Sequence, residues 1–519
     1  MIQTVGSICV VLLLMVVGRR LPSTKGRQII FLAASYLFYA TAGYLFWGNW
    51  GIGFLSILII SSLMNYTWGC VLRRKATTPR LWIGIALNLL PLAFFKYLPV
   101  LLELGPAGSW QYDLGRQIVL PVGMSFWTFQ GLSYLFDIYF EEELDPSLLE
   151  FCLYMAFWPT VLSGPICRLP SMLPQFRQLS PFSWDDLSAG SLRFIQGVMM
   201  KFVLAQILGS GWLPGEGIAA GFDQMKGGWG GVDVWLLGIG FGFLLFFDFA
   251  GYSHMVIGTA RIFAIRLPEN FDRPFLSTTP SIFWTRWHMS LSFWIRDYIF
   301  NPLAVAGRRY RWWPHVVFII SMTLFGLWHG AKWTFIVYGL YHGLVLVMHR
   351  LGQQMKRQFS VRLPRSLGAF LSWGTTFVLV SVGFIFFRAN DLTQVWTMLR
   401  AVFTPAAYGH FAMPRNFYIL TSTIAVGYFV VTAGHSLLLS WRARYREAMS
   451  ERRGLAEGKW PVIVANYFTL IIGALFDFFT GRLWWWFAPA LSILAFWVGL
   501  VIYTRDAVIA VTPFIYTLF

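Results

Sequence analysis

The chain of 519 residues is poor in charge, because Asp, Glu, Lys and Arg together make up only 12% of it. A water-soluble domain carries roughly 25% charged residues, so the composition excludes an ordinary soluble protein. Charge-free runs take the place of the missing charge, and a bilayer crossing needs roughly 20 such residues. The runs are 2–18, 28–72, 313–331, 366–387, 416–440 and 483–503. We therefore predict an all-α polytopic membrane protein.

The sequence also lacks several short motifs. No HExxH pattern, Walker motif or GxSxG elbow occurs, and the missing Walker motif argues against an ATP-driven pump. The four cysteines show neither metal-ligand spacing nor a disulfide framework, and they read as small buried hydrophobic residues: Cys9, Cys70, Cys152 and Cys167. We expect no metal site and no bound cofactor.

The net charge of +17 would suggest nucleic acid in a soluble protein. Here the basic residues cluster in short loops between apolar runs, so the positive-inside rule explains them better and no nucleic-acid partner is expected. The clusters read as cytoplasmic, and alternate counting places the N-terminus outside. The clusters are 19–27, 73–80, 308–311, 356–365 and 442–453. The first run lacks a basic n-region and a cleavage site, which predicts a retained span.

We predict one membrane domain over residues 1–519 with about 11–13 spans. No internal repeat or soluble domain is evident, and the catalytic region is expected at about 281–349. The candidate spans are 2–18, 28–47, 51–72, 81–101, 117–140, 187–210, 232–260, 313–331, 333–349, 366–387, 416–440, 461–480 and 483–503.

Two segments do not fit a simple crossing. Segment 151–166 is apolar but holds Pro159 and Gly164-Pro165, which predicts a re-entrant or broken segment. Segment 281–302 mixes aromatic and charged residues, with apolar residues at steps of four, three and four that predict one helix face. That face is Trp287, Leu291, Trp294 and Tyr298. We expect an amphipathic helix at the cytoplasmic interface; an anchor helix without chemistry is the alternative.

His329 is the first candidate for chemistry, because it lies between two charge-free runs, 313–331 and 333–348. Ionisable groups at membrane depth usually face a cavity or pathway. The alternative is a structural histidine at a helix end, whose ring hydrogen-bonds to a backbone carbonyl. Among the eight histidines, His288 and His342 also lie in dense aromatic and polar contexts. A histidine can accept a proton from a hydroxyl that attacks a thioester, a step needing few other groups.

Several ordered motifs together resemble the membrane-bound O-acyltransferase (MBOAT) family, in its bacterial alginate O-acetylation and D-alanyl-transfer branch. The resemblance runs from about Tyr36 to the C-terminus, and the ending 512–516 (TPFIY) favours the alginate O-acetylation type. The motifs are 120–130 (LPVGMSFWTFQ), 133–137 (SYLFD), 163–166 (SGPI), 248–253 (DFAGYS), 268–271 (PENF), 283–290 (FWTRWHMS), 296–298 (RDY) and 327–330 (LWHG).

The resemblance implies a multi-helix bundle with a transmembrane tunnel, and it maps the two family histidines onto His329 and His288 as catalytic residues. It leaves the roles of neighbouring residues open. Arg286 and Arg296 would either bind a negatively charged acyl donor or only anchor the segment at the membrane interface. Asp297 lies beside Arg296 in the sequence. Trp287 and Trp328 would shape the tunnel or simply pack in the core. One departure is visible, since His254 stands where the family commonly has Asp.

The function implied is an O-acyltransferase of the bacterial inner membrane. It would take an acyl group, with acetyl favoured, from acetyl-CoA or another cytoplasmic thioester for O-acetylation of an exported polysaccharide or cell-wall glycan. The implied partners are membrane lipid, a periplasmic acetyltransferase of the Ser-His-Asp (SGNH) type and the polysaccharide machinery. A secondary transporter or flippase is the rival interpretation, although the matching halves frequent in transporters are not evident. A scaffold of an export complex is a third.

Overall fold

The computed structural model describes residues 2–140, 143–178, 183–211, 216–223, 228–359 and 364–452. Across these ranges the chain forms helices and no strand, which confirms the predicted all-α class. The predicted spans 461–480 and 483–503 lie outside the described residues.

The first half of the chain supplies four long N-terminal helices and then shorter elements. They are α1 (Ile2–Arg20), α2 (Thr24–Trp47), α3 (Asn49–Arg74), α4 (Thr78–Lys96), α5 (Leu98–Leu102), α6 (Trp110–Gln117), α7 (Met124–Tyr139), α8 (Leu148–Ala156), α9 (Leu169–Arg177) and α10 (Trp184–Val198). A π-helical segment, Met199–Ala205, joins α10 to the short helix α11 (Gln206–Ser210).

The second half is built around one long central helix. Its helices are α12 (Ile218–Asp223), α13 (Gly231–Ile262), α14 (Pro280–Trp284), α15 (Met289–Ile295), α16 (Asn301–Ala306), α17 (Trp313–His329), α18 (Trp333–Phe359), α19 (Arg365–Arg388), α20 (Leu392–Val402) and α21 (Arg415–Arg452). In α13, 83% of the most apolar stretch is buried inside the protein. Helices α10, α19, α20 and α21 pack against it, and a second core cluster lies among the N-terminal helices.

Seven helices of the described residues are long and apolar enough to cross a membrane. They correspond to the predicted spans at 51–72, 81–101, 187–210, 232–260, 333–349, 366–387 and 416–440, and α17 is a shorter apolar helix. The predicted boundaries were wrong in two places. The helix of span 117–140 begins only at Met124, because Pro121 and Gly123 (φ 79°) precede it. The helix of span 81–101 ends at Lys96, before Pro99.

The segment 151–166 returns to the end of the bundle from which it enters. Helix α8 ends at Ala156, turns follow, and the chain returns without helix before α9. Arg177, at the end of α9, donates from Nε to Glu150 at the start of α8 over 2.8 Å. All residues from 151 to 167 are buried, so protein surrounds the non-helical backbone, as membrane depth requires. The predicted break of this segment is confirmed, and its re-entrance into the membrane stays a prediction.

The contact between Arg177 and Glu150 should weaken at low pH. Burial opposes ionisation of Glu150, but hydrogen bonds from Arg177 and Ser147 lower the pKa of its carboxyl to about 2. Because this pKa is lower in the folded state, the stabilisation is present above the unfolded pKa of about 4.3 and disappears as pH falls toward 2. We expect the melting temperature of the detergent-solubilised protein to fall below about pH 4.3. A Glu150→Gln variant should melt lower at neutral pH and show less of this acid dependence; parallel curves for both proteins would contradict the assignment.

The prediction of one continuous amphipathic helix over 281–302 was wrong. Helix α14 ends at Trp284 and α15 begins at Met289, because His288 adopts a left-handed conformation with φ 41° that no continuing helix allows. The predicted apolar face is nevertheless the buried one, with all four members no more than 5% exposed: Trp287, Leu291, Trp294 and Tyr298. The periodicity identified the buried face and missed the break.

Helices α17 and α18 cross with their backbones almost in contact. A Cβ atom added to Gly326 would lie 2.2 Å from the carbonyl oxygen of Phe335, and one added to Gly339 would lie 2.2 Å from that of Met322. Only glycine allows such an approach between membrane helices. The crossing fixes the last turn of α17, which carries His329, against the first turns of α18.

Candidate active site

His329 is the last residue of α17, and α4 caps this helix end. Lys96 donates from Nζ to the carbonyl of Trp328, and the hydroxyl of Tyr97 donates to the carbonyl of Leu327 over 2.9 Å. Carbonyls in the last turn of a helix have no partner within the helix, and a cation suits its negative end. A distant part of the sequence thus fixes the turn that presents His329.

Aromatic rings surround the imidazole of His329, which is only 6% exposed. Ring centroids of Phe325, Trp328 and Phe387 lie 4.7, 4.8 and 4.9 Å from that of His329. Phe325 and Phe387 stand nearly perpendicular to it, at 89° and 77°. This surrounding excludes water and lowers the local dielectric, which strengthens any hydrogen bond to a developing charge.

His288 lies in the break between α14 and α15 and is 2% exposed. A positive φ is uncommon for residues other than glycine and persists only where the surroundings impose it, often at functional sites. Burial lowers the pKa of His288 to about 3. Its imidazole is therefore neutral at pH 7, and burial opposes a full positive charge on it.

A buried hydrogen-bond network holds the His288 turn. The backbone N–H of Met289 donates to the carbonyl of Asn270 over 2.9 Å, and the hydroxyl of Ser290 donates to Asn270 Oδ1 over 2.6 Å. Asn270 in turn donates to Ser253 on α13 over 3.1 Å, and the N–H of Ile166 donates to Ser290 over 3.0 Å. Four motifs that are distant in sequence therefore meet at one asparagine.

Replacing Asn270 by alanine should loosen this turn. It would remove the side-chain partner of Ser290 and Ser253 inside the protein, at a cost of about 1–3 kcal/mol. We expect a lower melting temperature together with reduced turnover, since His288 would lose its fixed conformation. Asn416→Ala is the matched control, because Asn416 is exposed and bonds Glu216 at the surface. Equal behaviour of the two variants would show that the network does not position His288.

The two candidate histidines contact one shared side chain. The indole of Trp328 lies 4.8 Å from the His329 ring and 6.3 Å from the His288 ring, centroid to centroid. Phe249 of the central helix contacts His288 from another side at 4.7 Å. The structure thus brings together His329 and His288, which are 41 residues apart in the sequence.

The remaining predicted residues divide into two groups. Trp287 is 4% exposed and its ring stacks on Phe283 at 5.5 Å, which is core packing. Arg286 is partly exposed, and its carbonyl accepts from the N–H of Asp272 over 3.0 Å. Both therefore lie beside His288 in the chain without facing His329.

Arg296 and Asp297 form part of a charged cluster. Arg296 donates to Asp297 with both arms, over 2.7 and 3.1 Å, and Arg168 donates to the same carboxylate over 2.7 Å. These hydrogen bonds lower the pKa of Asp297 against the opposing effect of burial. The hydroxyl of the next residue, Tyr298, donates to buried Asp137 over 2.5 Å. Two arginines and two carboxylates meet around Tyr298, so their formal charges balance, while the guanidinium of Arg296 stays half exposed.

A pocket of about 330 Å³ lies between this cluster and α17. Arg296 lines it on one side and Phe325, which contacts His329, lines it on another. Trp284 Nε1 and Ser321 Oγ are buried in its lining and have no hydrogen-bond partner among the described residues. Buried donors without partners are costly, so these two suit a ligand that brings hydrogen-bond acceptors.

His342 lies on α18, the helix that follows His329, and is 2% exposed. Its ring contacts Trp284 at 5.1 Å and Tyr338 at 4.7 Å, and Tyr338 also lies 6.3 Å from His329. The three histidines that the sequence singled out for their context thus lie around one aromatic cluster. Among the described residues, no three His, Cys, Asp or Glu side chains group closely enough to hold a metal ion.

Comparison with known proteins decides the family. The family model of MBOAT, the membrane-bound O-acyltransferase family, matches residues 120–389. The probable alginate O-acetylase AlgI of Pseudomonas aeruginosa is 32% identical over 395 residues, or 74% of this chain and 71% of that protein. The chain belongs to the membrane-bound O-acyltransferase family. This MBOAT protein is therefore an O-acyltransferase with a polytopic membrane fold, as the motifs predicted.

Two further relatives differ in the acceptors that their names give. This MBOAT chain is 29% identical to the peptidoglycan O-acetyltransferase of Helicobacter pylori, over 72% of this chain and 73% of that protein. It is 33% identical to the teichoic acid D-alanyltransferase of Streptococcus thermophilus, over 52% of this chain and 69% of that protein. The acyl transfer to exported glycans expected from the sequence fits all these relatives.

The structure also accounts for His254, the departure from the MBOAT motif. Arg193 donates from Nε to His254 Nδ1 over 3.1 Å and forms an ion pair with Glu269. Glu269 thus supplies the carboxylate that faces this arginine, and His254 accepts a second hydrogen bond from it. Sequence reasoning missed this pair as it missed Lys96 and Arg168, since single charged residues carry no periodic signal.

Proposed function

We propose that this protein transfers an acetyl group from acetyl-CoA, or a similar cytoplasmic thioester, to a hydroxyl acceptor on the outer face, with His329 as general base and His288 assisting at the donor side. The observation that carries the proposal is the shared contact of both buried imidazoles with Trp328, at 4.8 and 6.3 Å. Two proton-accepting groups in one water-poor aromatic cluster suit acyl transfer between hydroxyl and thiol.

The reaction needs one proton acceptor at the acceptor hydroxyl. The hydroxyl oxygen attacks the thioester carbonyl carbon while its proton passes to His329. The carbon–sulfur bond then breaks, and the proton moves to the leaving thiolate, so the products are an ester and a free thiol. The imidazole is restored, and the aromatic rings around it keep water from competing as the nucleophile.

The donor would enter at the pocket beside Arg296. The half-exposed guanidinium of Arg296 lines this pocket and suits the phosphates of coenzyme A. The pocket behind it is largely apolar, and the N–H of Trp284 and the hydroxyl of Ser321 would donate to carbonyl groups of the thioester arm. Arg286 would add charge at the entrance, and Trp328 would line the tunnel between the two histidines.

The direction of transfer follows from the charge pattern. The arginine-rich loops read as cytoplasmic, which puts the N-terminus in the periplasm of a bacterial inner membrane. His329 lies at the opposite, outer end of α17. The relatives named for alginate and peptidoglycan suggest an exported glycan as the final acceptor. A periplasmic acetyltransferase of the SGNH type and the polysaccharide machinery would complete the pathway.

A transfer assay in liposomes separates this proposal from a transporter or flippase. The reconstituted protein receives labelled acetyl-CoA and a hydroxyl acceptor, and the products are separated by mass. An acyltransferase forms an acetylated acceptor and free coenzyme A in equal amounts. Movement of either substrate without an acetylated product would contradict the proposal and favour the transporter.

A further inference from the structure

A second pocket, of about 320 Å³, lies between α12 and α20. It lies at the end of the bundle where α17 and α19 finish and α13 begins, which is the end that carries His329. Its volume falls at the lower bound of small-ligand pockets, roughly 300–1,000 Å³. Unlike the pocket beside Arg296, it is lined mainly by polar side chains.

Hydrogen-bonding groups of several kinds line this outer pocket. The carboxylates of Asp223 and Asp391 and the hydroxyls of Thr393 and Thr397 face it, together with two side-chain amides. Carboxylates accept hydrogen bonds, whereas hydroxyl and amide groups both donate and accept them. None of the described residues that line it is a lysine or an arginine. Such a set suits a ligand that carries many neutral hydroxyl groups.

The walls of the outer pocket are held in place by their own contacts. Asn390 and Gln394 donate to the carbonyl of Phe222 over 3.4 and 2.6 Å, which joins α20 to α12. Asp391 Oδ1 accepts from the N–H of Gln394 over 2.8 Å, which caps α20. A pocket with fixed walls loses little freedom when it binds a ligand, which favours affinity.

The charge of the outer pocket selects among ligands. Arg388 donates to Asp223 over 2.6 Å and lies 5.3 Å from the ring of Phe222, so this cation is held at the wall. In the described part of the chain, no lysine or arginine pairs with Asp391. A carboxylate-bearing ligand would meet uncompensated negative charge here. The lining therefore disfavours a polyuronate.

Aromatic rings connect the outer pocket to His329. Phe222 in the lining lies 6.1 Å from Phe241, which lies 6.0 Å from Phe387. Phe387 contacts His329 at 4.9 Å. Asn390 of the lining follows Phe387 by three residues at the end of α19. A ligand in this pocket would thus be near the outer side of the candidate active site.

We infer that the outer pocket binds a neutral glycan, with Asp391, Thr393 and Thr397 receiving sugar hydroxyls. The inference rests on the proposed transfer to an exported glycan and narrows its acceptor to a neutral polyhydroxyl chain. Carboxylates form the stronger hydrogen bonds with hydroxyls.

Calorimetric titration of the full chain in lipid nanodiscs tests this inference, with cellotetraose as the neutral probe and tetramannuronate as the charged one. We expect cellotetraose to bind at least about tenfold more tightly than tetramannuronate. Thr397→Trp fills the pocket and should weaken cellotetraose binding at least about tenfold. Leu392→Trp is the matched control on an exposed position of α20 outside the lining, and its affinity should stay within about twofold of wild type.

A second variant covers the case in which Thr397→Trp disturbs folding. Asp391→Ser removes the carboxylate but keeps an oxygen that can cap α20, and it should reduce the discrimination against tetramannuronate. Unchanged cellotetraose binding in both variants, or preferred binding of tetramannuronate, would overturn the inference. The inference would also be overturned if the variants bound cellotetraose normally and lost acyl transfer only when a periplasmic protein was present. The pocket would then bind that partner protein. Because binding is measured without donor, it is independent of the catalytic role of His329.

Discussion

Replacing His329 by alanine is expected to abolish measurable acyl transfer in liposomes. A general base contributes typically about 10²–10⁴-fold to a rate, and no second imidazole occupies the position between Phe325, Trp328 and Phe387. The variant should still insert and reach the membrane, because the capping contacts of Lys96 and Tyr97 go to backbone carbonyls. Initial rates with labelled acetyl-CoA, together with size-exclusion profiles, measure both properties.

His315→Ala is the matched control for this variant. His315 lies on the same helix, near its beginning, and its ring contacts the local carbonyl of Trp312 over 3.2 Å. Its replacement should leave transfer within about twofold of wild type. A His329→Ala protein that folds and transfers at the wild-type rate would refute the role of His329 as base.

Replacing His288 is expected to reduce turnover strongly but not completely. The residues on either side of the His288 break, Trp284 and Ser292 among them, line the pocket proposed for the donor, so we place His288 on the donor side. We expect a loss of about 10–100-fold in turnover, below the full contribution of a general base. The KM for acetyl-CoA should rise as well, while the KM for the acceptor should change little.

The backbone at His288 requires two variants. With φ at 41°, alanine would add strain to the loss of the ring, whereas asparagine tolerates this region better. His288→Asn should therefore melt close to wild type and His288→Ala below it, with the same loss of turnover in both. Wild-type turnover in His288→Asn would show that the His288 ring takes no part in catalysis. If turnover were then lost only in His288→Ala, the role of His288 would be purely structural.

The fold could be predicted where the sequence carries a periodic or charge-free signal. Charge-free runs predicted most of the long helices, and Pro159 with Gly164-Pro165 predicted the break in segment 151–166. The break at His288 could not be predicted, because the apolar steps from Leu291 to Tyr298 continue the pattern set by Trp287. It is imposed by hydrogen bonds that Met289 and Ser290 donate to Asn270, a tertiary contact that local sequence does not encode.

The candidate site was predictable in part. His329 and His288 were found from their motifs, and their joint contact with Trp328 needed coordinates. Lys96 was invisible because it ends an apolar helix far away in the sequence, and it acts on a carbonyl rather than on a side chain. The single domain over residues 1–519 and the tunnel remain predictions.

Transfer across a sealed membrane tests the central claim most directly, namely that one buried histidine cluster serves a donor from one face and an acceptor from the other. Proteoliposomes of known orientation receive labelled acetyl-CoA on one side and a membrane-impermeant hydroxyl acceptor on the other. We predict labelled acceptor only when acetyl-CoA is on the side of the arginine-rich loops. Product formed only when donor and acceptor share one side would contradict the account.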